Sequence, residues 1–189
     1  MGKTVRAIFL DRDGVINIYP GDGDYVKSWE EFHFLPGAQK ALGKLADNGY
    51  RIFIISNQAG VSKGLYSQKA LDLITRNMLE QLSKEKEVIS GVLYCTHRQE
   101  ENCSCRKPQT GMIDMAVSGM KKSGLKVDLA HSYFIGDTMR DIITGNKAGL
   151  KTILVFSGKE KPENKPNWDT LPDFTAEDLI SAVEKIILK

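Results

Sequence analysis

The chain has 189 residues, of which 41% are hydrophobic and 26% charged, a composition typical of a globular protein with a sizeable core. Its net charge of +2 is small, and Lys and Arg are mixed with acids along the chain, so no nucleic-acid partner is expected. No apolar run approaches the ~18 residues of a membrane span, and the first residues resemble neither a secretory nor a myristoylation signal. We therefore expect a cytoplasmic, monomeric protein with no membrane partner and a single domain over residues 1–189.

Short apolar runs alternate along the chain with longer segments of helical periodicity. The runs are rich in branched and aromatic residues and end in polar or turn-forming ones, which predicts strands at 7–10, 51–55, 91–94, 132–135 and 151–155. Because these runs are apolar nearly throughout, they indicate strands buried on both faces of a parallel sheet. Capping and stop residues predict helices at 36–48, 67–86, 111–123, 141–148 and 176–188.

This alternation predicts an α/β fold: a doubly wound, mainly parallel sheet of five strands, of the Rossmann-like kind. Residues 17–35 interrupt the pattern as an irregular excursion, and residues 156–173 as a Pro-rich surface loop. Ligands bind such sheets at the carboxyl ends of the strands. The polar residues directly after each strand are therefore the candidate site.

Acidic, amide, hydroxyl and basic side chains follow the predicted strands. They are Asp11 and Asp13 after the first, Ser56, Asn57 and Gln58 after the second, Arg106 and Lys107 beyond the third, and Asp137 after the fourth. Carboxylates held close together repel one another unless a cation lies between them. Mg²⁺ is the cation that the pattern favours, because it prefers oxygen ligands and accepts a phosphate beside them. We expect Asp11, Asp13 and Asp137 to supply those oxygens.

These residue types are suited to phosphoryl transfer. With a metal ion and Lys107 neutralising charge, Asp11 can attack phosphorus and form an aspartyl-phosphate. Asp13 can protonate the leaving alcohol and then take a proton from the attacking water. Ser56 and Asn57 are suitable donors to a phosphoryl oxygen. Each motif alone has a structural explanation, as a turn, a helix start or a cap, but their joint position at one sheet edge favours catalysis.

The combination resembles the haloacid dehalogenase superfamily of phosphohydrolases. Its four motifs correspond here to IFLDRDG at 8–14, IISNQ at 54–58, RKP at 106–108 and IGDTMRD at 135–141. The resemblance implies Asp11 as nucleophile, Asp13 as general acid/base, and Ser56 and Lys107 as phosphate stabilisers. It also implies Mg²⁺ held by Asp11, the backbone carbonyl of Asp13, and Asp137.

A cluster of soft ligands immediately precedes the RKP motif. Cys95, His97, Cys103 and Cys105 include all three cysteines of the chain and give the four ligands of a closed, structural zinc site. Free thiols or a redox pair are the alternatives. Polar residues separate the ligands, so the loop 95–105 has little core of its own. We expect zinc to order this inserted loop and thereby to hold the basic pair that follows it.

Within the superfamily, a zinc loop directly before RKP resembles the branch of heptose bisphosphate and histidinol phosphate phosphatases, which lack a large cap domain. The heptose members are similar at NQAGVSKG, KPQTGM and DYV, which occupy 57–64, 107–112 and 24–26. The compact spacing of the zinc ligands is more similar to the histidinol members. Thr138 also departs from one heptose type, which has Lys at that position.

The resemblance implies removal of the C7 phosphate from a heptose 1,7-bisphosphate, a small sugar phosphate. Tyr25, Asn57, Gln58 and Arg106 are the predicted substrate-binding residues, and the planar guanidinium of Arg106 suits a second phosphate. Hydrolysis of histidinol phosphate is the nearest alternative. A zinc-stabilised binding module without enzymatic activity is the other.

Overall fold

The computed structural model describes residues 2–83 and 87–189, and two parallel sheets supply its strands. In chain order the strands are β1 (Lys3–Val5), β2 (Ala7–Leu10), β3 (Arg51–Asn57), β4 (Gly91–Cys95), β5 (Leu125–Val127), β6 (Tyr133–Gly136), β7 (Lys151–Val155) and β8 (Phe174–Ala176). The main sheet has six strands in the order β4-β3-β2-β6-β7-β8. The strands β1 and β5 form a separate pair. Every pairing is parallel, as the apolar runs predicted.

The helices connect successive strands of the main sheet from β2 to β7, and the last helix follows β8. They are α1 (Ala38–Asp47), α2 (Gln68–Leu82), α3 (Gly111–Lys122), α4 (Met139–Lys147) and α5 (Leu179–Ala182), the last continuing as a π-helix over Val183–Ile187. Ser67 caps α2 as predicted, because its hydroxyl accepts a hydrogen bond from the backbone N–H of Ala70 at 3.1 Å. Gly49 follows α1 with φ 79°, a left-handed conformation that ends a helix and favours glycine.

The core lies on both faces of the main sheet. Strand β2 shows the arrangement, because its four residues are all fully buried. Ile8 and Leu10 pack in a cluster with Leu42 and Leu45 of α1, whereas Phe9 packs in the opposite cluster with Met112 and Ile113 of α3. Successive side chains of a strand point to opposite faces, so helices cover both sides of the sheet. The doubly wound α/β fold is thus confirmed.

The sequence predicted five strands, whereas the main sheet has six in the described residues. Strand β8 has only three residues, two of them exposed, and it lies at the sheet edge, so it has no long apolar run that could identify it. The last helix was predicted from residue 176, but β8 occupies that position and α5 begins only after Asp178, whose carboxylate caps it. The predicted extension of α2 to 84–86 lies outside the described residues.

The excursion between β2 and α1 lies beside the carboxyl end of the sheet. Its backbone is irregular, as predicted, and is held by isolated bridges of Asn17 with Asp13 and with Phe34. No separate cap domain is evident in the described part of the chain. Over the same residues, no helix combines the length and apolarity needed to cross a membrane.

Two helical leucines provide a matched test of this core. Leu42→Ala is expected to lower the free energy of unfolding by about 2–5 kcal/mol, because the fully buried side chain leaves a cavity. Leu73→Ala on α2 is expected to lower it by less than about 1 kcal/mol, since Leu73 is 46% exposed. Urea-induced unfolding followed by circular dichroism measures both values, and equal losses would contradict the assigned core.

Candidate active site

The carboxyl ends of β3, β2 and β6 bring the predicted site residues together. These three strands are neighbours in the sheet, and each is followed or ended by polar residues. The backbone N–H of Asp11 donates to the carbonyl of Ile135 at 3.0 Å, which holds Asp11 against β6. A cavity of about 210 Å³ opens at this edge, and its lining includes Asp11, Asp13, Ser56, Asn57, Arg106, Lys107 and Asp137.

A buried ammonium group connects two of the carboxylates. The Nζ atom of Lys107 lies 2.8 Å from Asp11 Oδ2 and 2.6 Å from Asp141 Oδ1, and its side chain is only 2% exposed. Burial alone lowers the pKa of Lys107, but the charges of Asp11 and Asp141 outweigh this effect and raise it. Lys107 therefore remains charged at the floor of the cavity.

The side chain of Asn57 fixes the backbone of Lys107. Its Oδ1 atom accepts from the N–H of Lys107, and its Nδ2 atom donates to the carbonyl of the same residue, both at 3.1 Å. This paired contact joins the end of β3 to the RKP segment much as an additional strand pairing would. Asn57 also lines the cavity, where its predicted contact with substrate stays a prediction.

Three carboxylates form a group that can hold a cation. Oxygen atoms of Asp11, Asp137 and Asp141 all lie within 4.8 Å of one another. Asp141 uses Oδ1 on Lys107 and Oδ2 on the N–H and hydroxyl of Thr138, at 3.1 and 2.6 Å. Asp11 and Asp137 are therefore the better candidates for direct ligands. Their hard oxygen atoms fit Mg²⁺.

Asp137 is tightly enclosed. Its Oδ2 atom accepts from the backbone N–H of Lys159 at 2.8 Å. A Cβ atom at Gly14 would lie 2.3 Å from this oxygen, and one at Gly158 would lie 2.0 Å from it, so both positions require glycine. Burial, followed by the charges of Asp11 and Asp141, raises the pKa of Asp137 well above its ordinary value. A bound cation would relieve this crowding of negative charge.

The carboxylate of Asp13 faces a separate set of donors. Its Oδ1 atom accepts from Arg12 Nη2 at 2.9 Å and from Asn17 Nδ2 at 2.9 Å. Its Oδ2 atom accepts from Arg12 Nη2 at 3.0 Å and from Gln58 Nε2 at 2.9 Å. The side chain is therefore outside the three-carboxylate cluster. A metal contact through the backbone carbonyl of Asp13 stays a prediction.

The mouth of the cavity carries basic side chains and the rings of Tyr19 and Tyr25. Tyr25 lies there, and its hydroxyl accepts from Lys63 Nζ at 3.2 Å. Arg106 also lines the mouth and donates from Nη1 to the carbonyl of His97 at 3.1 Å. Arg140, Lys159, Asp22 and Asp24 also line the entrance. Asp22 pairs with Lys159 at 2.6 Å and Asp24 pairs with Lys27 at 2.7 Å, so an anionic substrate would meet the guanidinium groups of Arg106 and Arg140 there.

The Cys/His cluster has the geometry of a four-coordinate metal site. The Sγ atoms of Cys95, Cys103 and Cys105 lie 3.2 to 3.5 Å apart, and His97 Nδ1 lies 3.3 Å from Cys105 Sγ and 3.6 Å from Cys95 Sγ. The sulfur separations are too long for disulfides, and all three cysteines are free. Zinc–sulfur bonds of about 2.3 Å place tetrahedral corners about 3.7 Å apart, so the cluster fits zinc closely.

Several neighbours of the site were not predicted from the sequence. Arg12 is fully buried between two acids of the DRDG motif, a position that could have indicated a pairing role. Tyr66 gave no periodic or motif signal of its own, and Arg140 lies within the IGDTMRD motif but was given no role there. The contribution of Lys159 is a backbone N–H, which any residue except proline could provide.

Comparisons with known proteins agree with this geometry. A family model described as HAD-hydrolase-like matches residues 104–182. The D-glycero-beta-D-manno-heptose-1,7-bisphosphate 7-phosphatase of Haemophilus ducreyi is 38% identical over 167 residues, covering 84% of this chain and 86% of the relative. The D-glycero-D-manno-heptose-1,7-bisphosphate 7-phosphatase of Chlorobaculum tepidum is 33% identical, covering 98% of this chain and 96% of the relative. A crystal structure of D,D-heptose 1,7-bisphosphate phosphatase from B. bronchiseptica, complexed with magnesium and phosphate, superposes with a TM-score of 0.83 at 30% identity, covering 98% of each chain.

The sheet topology, the carboxylate and lysine cluster and these matches define a phosphatase of the HAD-like class. Identities of 33 to 38% over most of the chain are specific enough to go further. The chain belongs to the D-glycero-D-manno-heptose-1,7-bisphosphate 7-phosphatase family. The resemblance inferred from the four motifs and the zinc loop is thereby confirmed.

The raised pKa values of Asp11 and Asp137 predict cation binding that depends on pH. In the metal-free protein their contribution to stability is complete below the ordinary pKa of 3.8 and is lost as the pH rises through the raised folded values. A divalent cation requires the deprotonated carboxylates, so it binds more weakly as the pH falls. We expect Mg²⁺ at ~100-fold above its dissociation constant to raise Tm by about 5–10 °C at neutral pH and by less at acidic pH.

Thermal unfolding monitored by intrinsic fluorescence measures these shifts. Asp137→Asn is the control, because it removes one candidate ligand and should abolish the Mg²⁺-dependent shift. A shift in the unmutated protein that does not change with pH would contradict this assignment of the ligands.

Proposed function

We propose that this chain is a Mg²⁺-dependent phosphatase that removes the C7 phosphate of D-glycero-D-manno-heptose 1,7-bisphosphate. The observation that carries the proposal is the position of Asp11 in the active-site cavity, with its Oδ2 atom 2.8 Å from Lys107 Nζ. Relatives of 33 to 38% identity are named for this reaction. The sheet positions Asp11 and Lys107 directly, because Asp11 follows β2 and Asn57 at the end of β3 fixes the backbone of Lys107.

Asp11 is the nucleophile in this proposal. Its Oδ1 atom accepts from the backbone N–H of Arg12 at 2.7 Å, and its Oδ2 atom pairs with Lys107. These contacts orient the carboxylate. One oxygen attacks phosphorus, the bond from phosphorus to the C7 oxygen breaks, and an aspartyl-phosphate forms. Lys107 and Ser56 balance the charge on the phosphoryl oxygens during transfer.

Asp13 serves both half-reactions as general acid and base. It gives a proton to the departing C7 oxygen in the first step and takes one from the attacking water in the second. The water then cleaves the aspartyl-phosphate and releases inorganic phosphate and free Asp11. Asp13 is suited to this exchange because its carboxylate is 16% exposed and lines the cavity, whereas Arg12 behind it is fully buried.

Mg²⁺ would be held by Asp11 and Asp137, with the backbone carbonyl of Asp13 as a further ligand. When bound, it neutralises the carboxylates and the phosphoryl group so that two anions can approach. The donor set supports this choice, since it consists of crowded carboxylate oxygens rather than sulfur or nitrogen. The B. bronchiseptica relative, which contains magnesium and phosphate, gives independent support.

Positive charge at the mouth supports a bisphosphate substrate. Arg106 and Arg140 both line the active-site cavity and a neighbouring cavity beside the zinc loop. The second phosphate of the substrate, separated from the first by the length of a sugar, could pair with either guanidinium. Tyr25 at the same mouth offers a ring and a hydroxyl to the sugar. A non-enzymatic binding module would need neither the buried Lys107 nor the enclosed Asp137.

Phosphate release from purified protein tests the proposal. We expect the heptose bisphosphate to be preferred over histidinol phosphate in kcat/KM. Asp11→Asn should reduce turnover by more than about a thousand-fold because the nucleophile is lost. Asp114→Asn, an exposed acid on α3, is the matched control and should retain normal activity. A preference for histidinol phosphate would sink the substrate assignment, and an active Asp11→Asn variant would sink the mechanism.

The Cys/His cluster is proposed to bind one structural zinc ion. Its four ligands leave no open coordination position, so zinc would order the loop rather than take part in the reaction. The cluster is connected to the active site through His97, whose carbonyl accepts from Arg106. Zinc would thereby hold Arg106, and through the following residue Lys107, in position over the phosphate.

Elemental analysis of protein purified without added metal should find about one zinc per chain. Cys103→Ser should remove it, lower the free energy of unfolding by at least about 2 kcal/mol and reduce phosphate release. Ser104→Ala is the control, because this exposed side chain lies in the same loop but belongs to no ligand set. A zinc-free chain with full stability and activity would refute the site.

A further inference from the structure

Gln58 was predicted to bind substrate, yet the structure buries its side chain completely. Each polar atom of its amide has a partner within the protein. The Oε1 atom accepts from the hydroxyl of Tyr66 at 2.5 Å. The Nε2 atom donates to Asp13 Oδ2 at 2.9 Å and to Ser56 Oγ at 3.2 Å. A side chain so placed has no free group for a ligand.

The hydrogen-bond directions follow from the chemistry of these groups. The carboxylate of Asp13 can only accept hydrogen bonds, so the amide –NH₂ group of Gln58 must be the side that faces Asp13 and Ser56. The carbonyl oxygen of the amide then faces Tyr66, whose hydroxyl donates to it. Because Ser56 accepts the bond from Gln58, its own proton is free to be donated, and Ser56 is hydrogen bonded to Asp11. One chain of hydrogen bonds therefore extends from Tyr66 to both catalytic carboxylates.

Gln58 and Arg12 hold the carboxylate of Asp13 from different sides. Arg12 reaches both oxygens and Asn17 reaches Oδ1, but Gln58 is the neutral donor at Oδ2. Without it, the contacts of Asp13 would be concentrated on the Arg12 side, and the carboxylate plane could rotate away from the cavity. Alignment of an acid/base group decides how well it transfers a proton.

Tyr66 has a fixed position from which to orient the amide. Its ring packs directly against Gly60, where a Cβ atom would lie 2.2 Å from Tyr66 Cε1. The ring of Tyr25 contacts it from the mouth, with 5.9 Å between centroids. The hydroxyl is thus held at the amide. If this donor is lost, the buried carbonyl oxygen of the amide has no partner, and the side of the amide away from Asp13 is no longer anchored.

We infer that Gln58, oriented by Tyr66, is the positioning residue that aligns the acid/base carboxylate of Asp13. The inference rests on the proposed role of Asp13 and adds to it a dependence on a residue that the substrate does not contact. Loss of this alignment should slow hydrolysis selectively, according to the leaving group of the substrate. A defect in proton donation slows the release of an alkoxide, a poor leaving group, much more than the release of p-nitrophenolate, which departs without a proton.

The test compares kcat/KM for the heptose bisphosphate and for p-nitrophenyl phosphate, because this constant reports the steps up to alcohol release. Gln58→Met should lower kcat/KM for the sugar phosphate by about 100-fold and for the aryl phosphate by less than about 5-fold. Tyr66→Phe should show the same selectivity at about 10-fold and keeps the test valid where Gln58→Met does not fold. Tyr50→Phe, a buried tyrosine at the opposite end of the sheet, is the control and should change neither value.

Asp13→Asn separates this inference from the proposed function. If Asp13→Asn shows the selective loss and the Gln58 and Tyr66 variants lose both activities equally, or lose none, the positioning role is overturned while the reaction stands. If Asp13→Asn itself shows no selectivity, the acid/base assignment fails and the inference fails with it. Selective losses in all three variants support both.

Discussion

The ion pair of Lys107 with Asp11 and Asp141 is the interaction on which the rest of the site depends. Three carboxylates and one ammonium occupy a nearly dry edge of the sheet, which leaves two net negative charges. Such an arrangement is unfavourable alone and becomes neutral with one divalent cation. The site is therefore built for a metal ion, and an incoming phosphate restores the negative charge that the cation has removed.

The position of Lys107 depends on one distant residue and on the loop directly before it. Asn57 fixes its backbone to the end of β3, and the Cys/His cluster constrains the loop that precedes it. The parallel sheet supplies the rest, because neighbouring strands deliver Asp11 and Asp137 at the same edge. With zinc bound as proposed, the Cys/His cluster would order a loop that has little hydrophobic packing of its own.

Most of the sheet and the main chemical groups could be predicted from the sequence, because long apolar runs and polar residues after them carry a local signal. The short edge strand β8 could not, since its pairing and not its composition creates it. Gln58 was predicted to bind substrate from its position after a predicted strand. Its burial and its hydrogen bond to Asp13 depend on tertiary contacts that a local sequence pattern does not reveal. The contact of Lys159 with Asp137 was not predicted for another reason, because the backbone N–H of Lys159 makes it and not the side chain.

Asp137 is enclosed by two glycines, Gly14 and Gly158, that come from opposite ends of the chain. The restriction is steric, so even a methyl group on either side would displace the carboxylate. Gly158 opens the Pro-rich loop, which elsewhere is largely exposed. Insertions and substitutions can therefore accumulate along most of that loop without reaching the metal-binding edge, provided that its first turn retains a residue without a side chain.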